Sequence, residues 1–392
     1  MFPLMTTTAD YIKFLEIFGF RGSDTRTGGI STQGDVLVNS SADGVDLNQI
    51  WSTIQSVLNV WNKERSSVAS LLSYTTTNVA DAIPQSLSSE SMELASEFGV
   101  PHSVREPATA LPLGYTFNDY DLALRYTWKF LRDSTAEQIK SVFNRALEAD
   151  NKLVNGSVLK RLFDPTEELN EHGHRCFGLW CNDGITPPPY LGKTFASSTS
   201  HYLASGATQI DSLDIELAIG LITDKGFGRS QSSQLLILAN PYDGEFITTW
   251  QAGVESRTSG PKAKWDFIRS STAPAYLTEQ TIIGKVPPGD YNGLPVQGSY
   301  GPAWLITTNY IPQGYVAVVA SSGQNSQDNP VAIRVHPNAK YQGLRIIPGN
   351  GVFPIQEAFT ARGFGVGVRQ RGAAVCVQVT TNGSYTAPTF EL

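Results

Sequence analysis

Four residues suggest a metal centre: His172, His174, Cys176 and Cys181. Imidazole nitrogen and thiolate sulfur suit zinc, and four such ligands close a tetrahedron. Their spacing, H-x-H-x-C-x4-C, departs from the finger patterns. Phe177, Leu179 and Trp180 between them read as core, so the segment is expected to be a buried strand or turn. Gly192-Lys193-Thr194 has the end of a phosphate loop. Pro187 stands where the loop's first glycine should be, in a triple proline without N–H donors. Gly363-x-Gly365-x-Gly367 lacks the third glycine of the dinucleotide pattern, since position 368 is Val. Glycines two apart line one face of a strand and let another backbone or a helix come close.

Nucleophilic chemistry has no support either. There is no G-x-S-x-G elbow. The five histidines, His102, His172, His174, His201 and His336, sit in no catalytic setting. Asp211, Asp214 and Glu216 fall in a helix's first turn, where the macrodipole accounts for them. Arg362, Arg369 and Arg371 make a basic spot that either pairs with acids or is solvated. No catalytic residue, metal ligand or cofactor is expected. A chain of 392 residues without them is expected to act through surfaces rather than a pocket.

Composition sets further bounds. Lys plus Arg is 29 against 36 Asp plus Glu, giving −7. That balance disfavours a free-standing nucleic-acid binder or a polybasic membrane anchor. Hydrophobic residues at 41% and charged residues at 17% describe a folded chain. The 35 Gly and 22 Pro imply many turns. Three cysteines make no disulfide framework, which suggests a reducing compartment. The most apolar N-terminal stretch, residues 11–20, is broken by Lys13 and Glu16, so neither a signal peptide nor a span is expected.

The elements that would carry these residues are mixed α+β. Asp10 caps a short helix with the face Tyr11, Leu15 and Phe18. From about residue 46, Leu47, Ile50, Trp51, Ile54, Leu58, Trp61, Val68 and Leu72 form one apolar stripe. A further helical turn is expected near residues 91–98. Residues 111–130 read as an extended arm or hairpin with aromatics but no core of its own. Ser134 and Glu137 form an S-x-x-E capping box. Behind it Ile139, Val142, Phe143, Ala146, Leu147, Leu153, Val154 and Leu162 mark a long helix that Asn155-Gly156 could bend. After residue 184 a helix through Leu213, Leu217, Leu221 and Ile222 precedes the strand QLLILA (234–239). A helix around 245–250 and short strands at 294–297, 303–307, 315–320 and 331–335 follow. Residues 363–369 and 373–380 read as two adjacent strands.

Six blocks resemble the major capsid proteins of tailed phages of actinobacteria. They are PPYLGKTFASSTSHYLASG (188–206), LLILANP (235–241), WDFIRSSTAPAYLTEQTII (265–283), NGLPVQGSYGPAW (292–304), NPVAIRVHPNAKYQGLRIIP (329–348) and RGFGVGVRQRGAAVCVQVT (362–380). The resemblance implies the Hong-Kong-ninety-seven-type capsid fold. It would place an N-terminal arm with helices over 1–100, retained in the shell, and an extended β-hairpin loop over 101–133. A peripheral domain with a long spine helix would span 134–205, an axial domain 206–345, and a return to the peripheral domain 346–392. The glycine-alternating strand would pack on the spine helix. Tyr115, Phe117, Tyr126 and Trp128 would need a neighbouring subunit for burial. The implied function is self-assembly into pentamers and hexamers of an icosahedral shell around double-stranded DNA. The DNA would be held without sequence-specific contact, with portal and scaffold or decoration proteins as partners and no membrane. Assembly would occur in the host cytoplasm and the protein would reside in the virion capsid. An encapsulin-type compartment around an enzyme cargo is the alternative with the same fold.

Overall fold

The run Gln234–Ala239 (QLLILA) is apolar without alternation, which in a strand means burial on both faces. In the computed structural model this strand is the centre of a seven-stranded sheet. The order is Tyr202–Ala204, Ala374–Gln378, Tyr315–Ser321, Gln234–Ala239, Ala303–Thr307, Gly298–Tyr300 and Phe267–Arg269. Leu236 and Leu238 enter one core, whereas Leu235, Ile237 and Ala239 enter a second beneath the helix Ser212–Thr223. The structure describes residues 40–63, 68–84, 94, 99, 110–228, 230, 232–271, 286–349 and 357–390. The short helices expected at 11–18 and 91–98 lie outside the described residues, but for Leu94 in the second.

A five-stranded sheet is built around Glu357–Val368. This strand pairs antiparallel with Val331–Val335 along its second half. Along its first half it lies between Arg345–Ile347 and Asn118–Arg125. Ser73–Thr76 runs parallel to Val331–Val335 at the edge. The strands at 363–369 and 373–380 thus join different sheets, and the turn between them carries the chain from one to the other. Val331–Val335, expected in the axial segment, belongs to the five-stranded sheet, and Ala374–Gln378 to the seven-stranded one.

The long helix spans Ala136–Phe163, 28 residues or roughly 40 Å. Its capping box is one residue later than the S-x-x-E reading. Thr135 N–H donates to Gln138 Oε1 at 3.0 Å, and Gln138 N–H donates to Thr135 Oγ1 at 3.4 Å. Asn155-Gly156 does not interrupt it. Asn155 Nδ2 donates to the Asn151 carbonyl at 3.0 Å, while its Oδ1 accepts from Ala69 N–H at 3.0 Å. The amide thereby ties the helix to the short helix Val68–Leu72. The N-terminal stripe splits in the same way. Leu47, Ile50, Ile54 and Leu58 bury one face of the helix Leu47–Lys63 against Ile139, Phe143 and Leu147, while Val68 and Leu72 enter the largest core. Leu47–Lys63, Val68–Leu72 and Ser73–Thr76 are therefore packed into the body.

Gly363, Gly365 and Gly367 do not face the long helix. A Cβ on Gly365 would lie 1.6 Å from the Thr116 carbonyl oxygen, and one on Gly367 2.8 Å from that of Gly114. The glycine face admits the crossing backbone of residues 114–119. The opposite face supplies Phe364 and Val368 to the core shared with Val158 and Leu162.

His201 is wholly inside, donating from Nδ1 to the Ala374 carbonyl at 2.6 Å. Burial, reinforced by the nearby Lys225 charge, pushes its pKa down to about 3. The unfolded chain therefore binds a proton the folded one refuses. Stability is full above the ordinary histidine pKa of about 6.5 and is lost as pH falls from there towards 3, on the order of 4 kcal/mol in total. Denaturant midpoints should fall across that window, and the part of the fall due to this group should vanish in His201→Gln.

Candidate assembly interface

The residues that suggested chemistry are dispersed or occupied. His172 and His174 are exposed, whereas Cys176 is buried. Burial raises the Cys176 thiol to about 11, which keeps it protonated and a poor ligand. Among the described residues no three His, Cys, Asp or Glu side chains converge on a metal position. Instead, Arg371 enters this segment. Its guanidinium carbon lies 4.1 Å from the Trp180 ring centre and 4.7 Å from that of Phe177. It donates to the carbonyls of Gly178 at 3.0 Å and Leu179 at 3.2 Å, and pairs with Asp183. Lys193 closes a tight turn with Tyr190, with Leu191 and Gly192 at positive φ, and pairs with Asp224. The three C-terminal arginines are each matched by an acid: Arg362 by Asp150, Arg369 by Asp81 and Arg371 by Asp183.

What remains unaccounted for within one chain is surface. Ala80–Pro84 and Ala110–Gly114 pair antiparallel as a two-stranded ribbon outside both large sheets. A lone two-stranded ribbon is marginal in water. Its base is tied into the body. Tyr115 OH donates to Asp81 Oδ2 at 2.6 Å and lies 3.3 Å from Tyr74 OH, and Arg369 reaches the same carboxylate oxygen at 3.2 Å. The Tyr115 carbonyl accepts from Asn170 Nδ2 at 3.3 Å and Arg334 Nη1 at 3.2 Å. The sequence hid this ribbon because Pro84 and Pro112 argue against strands. Proline is tolerated where one strand edge is unpaired, and that was the available signal.

The segment expected to be a hairpin, 111–130, is therefore divided among three elements. Ala110–Gly114 belongs to the ribbon, Asn118–Arg125 to the five-stranded sheet, and Trp128–Asp133 is a helix capped by Thr127. Two of the four proposed contact residues are satisfied internally. Tyr115 is fully buried, and Tyr126 is buried beside Phe130 with its OH donating to the Ile139 carbonyl at 3.3 Å. Both pack into folded elements rather than a free loop, so neither needs a neighbour for burial. Phe117 is half-buried with Arg334 over its ring, and Trp128 is 62% exposed.

No protein-family model matches the chain, and no curated protein does. A solved chain of Mycobacterium phage Patience does, at 34% identity and a TM-score of 0.68, covering 94% of this chain and 97% of that one. The chain belongs to the phage major capsid proteins. Two further solved structures share less with this capsid protein. The capsid of an empty GTA particle is 13% identical at a TM-score of 0.39, covering 92% of this chain and 94% of that one. The SrpI encapsulin of Synechococcus elongatus is 9% identical at 0.41, covering 96% and 98%. A capsid protein acts by contacts with copies of itself that close into a shell, so its working parts are surfaces. Among the described residues no helix is long and apolar enough to cross a membrane.

Proposed function

We propose that this capsid protein forms pentamers and hexamers of an icosahedral shell around the double-stranded DNA of a tailed phage. The DNA is held without sequence-specific contact, with portal and scaffold or decoration proteins as partners and assembly in the host cytoplasm. The observation that carries this reading is the 34% identity to a phage chain over nearly the whole length of both. In this reading the body around the long helix and five-stranded sheet is the peripheral domain, and the seven-stranded sheet with its helices is the axial domain. The extended loop is the ribbon Ala80–Pro84 with Ala110–Gly114, which begins earlier in the chain than 101–133. The ribbon's place outside both large sheets supports that assignment. Trp128 and Phe117 remain inter-subunit contacts, and full burial of one such side chain contributes roughly 1.5–3 kcal/mol.

Particles built of this chain, purified and treated with nuclease, should release protected double-stranded DNA on heating. Particles that instead enclose a folded enzyme and no DNA would replace the phage reading with that of an encapsulin-type compartment.

A further inference from the structure

Asp211 and Asp214 open the helix Ser212–Thr223 with a reciprocal capping box. Asp214 N–H donates to Asp211 Oδ1 at 3.2 Å, and Asp211 N–H donates to Asp214 Oδ2 at 3.5 Å. The two residues are only 4% and 9% exposed. Among the described residues one cation pairs with them: Arg257 Nε donates to Asp211 Oδ2 at 3.1 Å. Two buried carboxylates facing one guanidinium carry one negative charge too many when both are ionised. Burial first, and the Asp211 charge second, raise the Asp214 carboxyl to about 7, against the pull of Arg257. The other charged side chains of the helix start and the loop beside it have partners of their own or face solvent. Glu216 accepts from Tyr300 OH at 2.6 Å and from Lys264 N–H at 3.0 Å. Glu255 accepts from Ser259 N–H at 3.1 Å and Asp266 from Ala252 N–H at 2.8 Å. The Lys264 ammonium lies 4.8 Å from the Trp265 ring centre, and Lys262 is exposed.

Arg257 belongs to the loop 251–264, which is bonded to itself. Gly253 N–H donates to the Ala263 carbonyl at 2.8 Å, Ala263 N–H to the Val254 carbonyl at 2.9 Å and Ser256 N–H to the Pro261 carbonyl at 2.9 Å. Two contacts hold its middle to the helix start: the Arg257–Asp211 pair, and Ser212 N–H donating to Ser256 Oγ at 3.1 Å. On either side of this held point, residues 251–255 and 258–259 are exposed.

We propose that residues 251–264 form a pH-operated strap, closed over the helix start while the Asp211–Asp214 pair holds one shared proton and loosened once the pair loses it. With one proton on the pair, its charge and that of Arg257 sum to zero, and the covered cluster needs no water. The second ionisation leaves a net negative charge in a buried place, and lifting the strap lets water reach it. The opened form releases the proton nearer the ordinary carboxylate pKa of about 3.9. The advantage of the closed form is therefore full below that value and is lost as pH rises from there through about 7. This is the reverse of the His201 dependence, so only a local measurement isolates it.

Hydrogen exchange of the full chain tests this, read by mass spectrometry on peptides covering 251–264 and corrected for the intrinsic pH dependence of amide exchange. Corrected exchange in the strap should be at least ~10-fold faster at about pH 8 than at about pH 5, whereas peptides of the central strand Gln234–Ala239 should not change. Asp214→Asn leaves Asp211 balanced by Arg257 with no proton to lose, so its strap should exchange alike at both pH values. Should that variant fail to fold, Asp211→Asn decides, since it too leaves a single carboxylate and should abolish the response. Strap exchange in the wild-type chain that is independent of pH, or a pH response that persists in the deciding variant, overturns the proposal.

Discussion

Gly365→Ala should strongly destabilise the folded capsid protein. The added Cβ would stand 1.6 Å from the Thr116 carbonyl oxygen, 2.2 Å from its carbon and 2.7 Å from Phe117 N. All three are backbone atoms, so no rotamer change relieves the overlap. Nor can the crossing segment drift away. Thr116 Oγ1 donates to the Val366 carbonyl at 2.9 Å and accepts from Val366 N–H at 3.0 Å, and Thr116 N–H donates to the same carbonyl at 3.3 Å. Overpacking in cores commonly costs about 1–3 kcal/mol, and here the hydrogen bonds would be lost as well. We expect a loss of about 3 kcal/mol or more. Gly383→Ala, whose Cβ meets nothing within 4 Å, should change stability by less than about 0.5 kcal/mol. Denaturant unfolding of both checks this, and a Gly365→Ala chain within 1 kcal/mol of wild type would contradict it.

Asp150→Ala should cost about 3–5 kcal/mol, because it strands a buried guanidinium. Asp150 projects from the long helix and is nearly inaccessible, as is Arg362 on the central strand of the five-stranded sheet. Arg362 engages both carboxylate oxygens, with Nη2 at 2.8 Å from Oδ2. Trp61 Nε1–H donates to the same oxygen at 2.9 Å. One carboxylate thus joins the N-terminal helix, the long helix and the sheet. Arg362→Met beside Asp150→Ala should recover much of the loss, since no charge is then left unpaired. A double-mutant cycle by chemical denaturation measures the coupling. Additive single effects would mean that the pair does not act as a unit.

These two sites show what the sequence could and could not reveal. Period-two glycines announced a close approach, but not that its partner would be residues 114–119 rather than the long helix. The three C-terminal arginines were visible as a cluster. Their separation onto Asp150, Asp81 and Asp183 depends on a turn that passes between two sheets, which no local pattern encodes. The long helix was legible because its apolar period persists through 28 residues, and QLLILA because it is buried on both faces. The ribbon escaped notice because its strands are far apart in sequence and each carries a proline. Aromatic content misled at Tyr115 and Tyr126. A tyrosine near a loop looks like an interface residue until its hydroxyl is seen donating to Asp81 or to a helix carbonyl. Leu213 and Leu217, two of the residues that marked their helix in the sequence, point outward, because Ile215, Ala218, Ile219 and Ile222 supply the inner face.

The central claim is that the protein works through contacts with neighbouring copies, the ribbon among them. The most direct measurement is an electron cryomicroscopy map of particles assembled from the purified chain, at a resolution that traces strands. The map should show closed shells in which the ribbon Ala80–Pro84 and Ala110–Gly114 lies against an adjacent copy. A ribbon folded back on its own chain, or a preparation that stays monomeric under every assembly condition, would contradict the account.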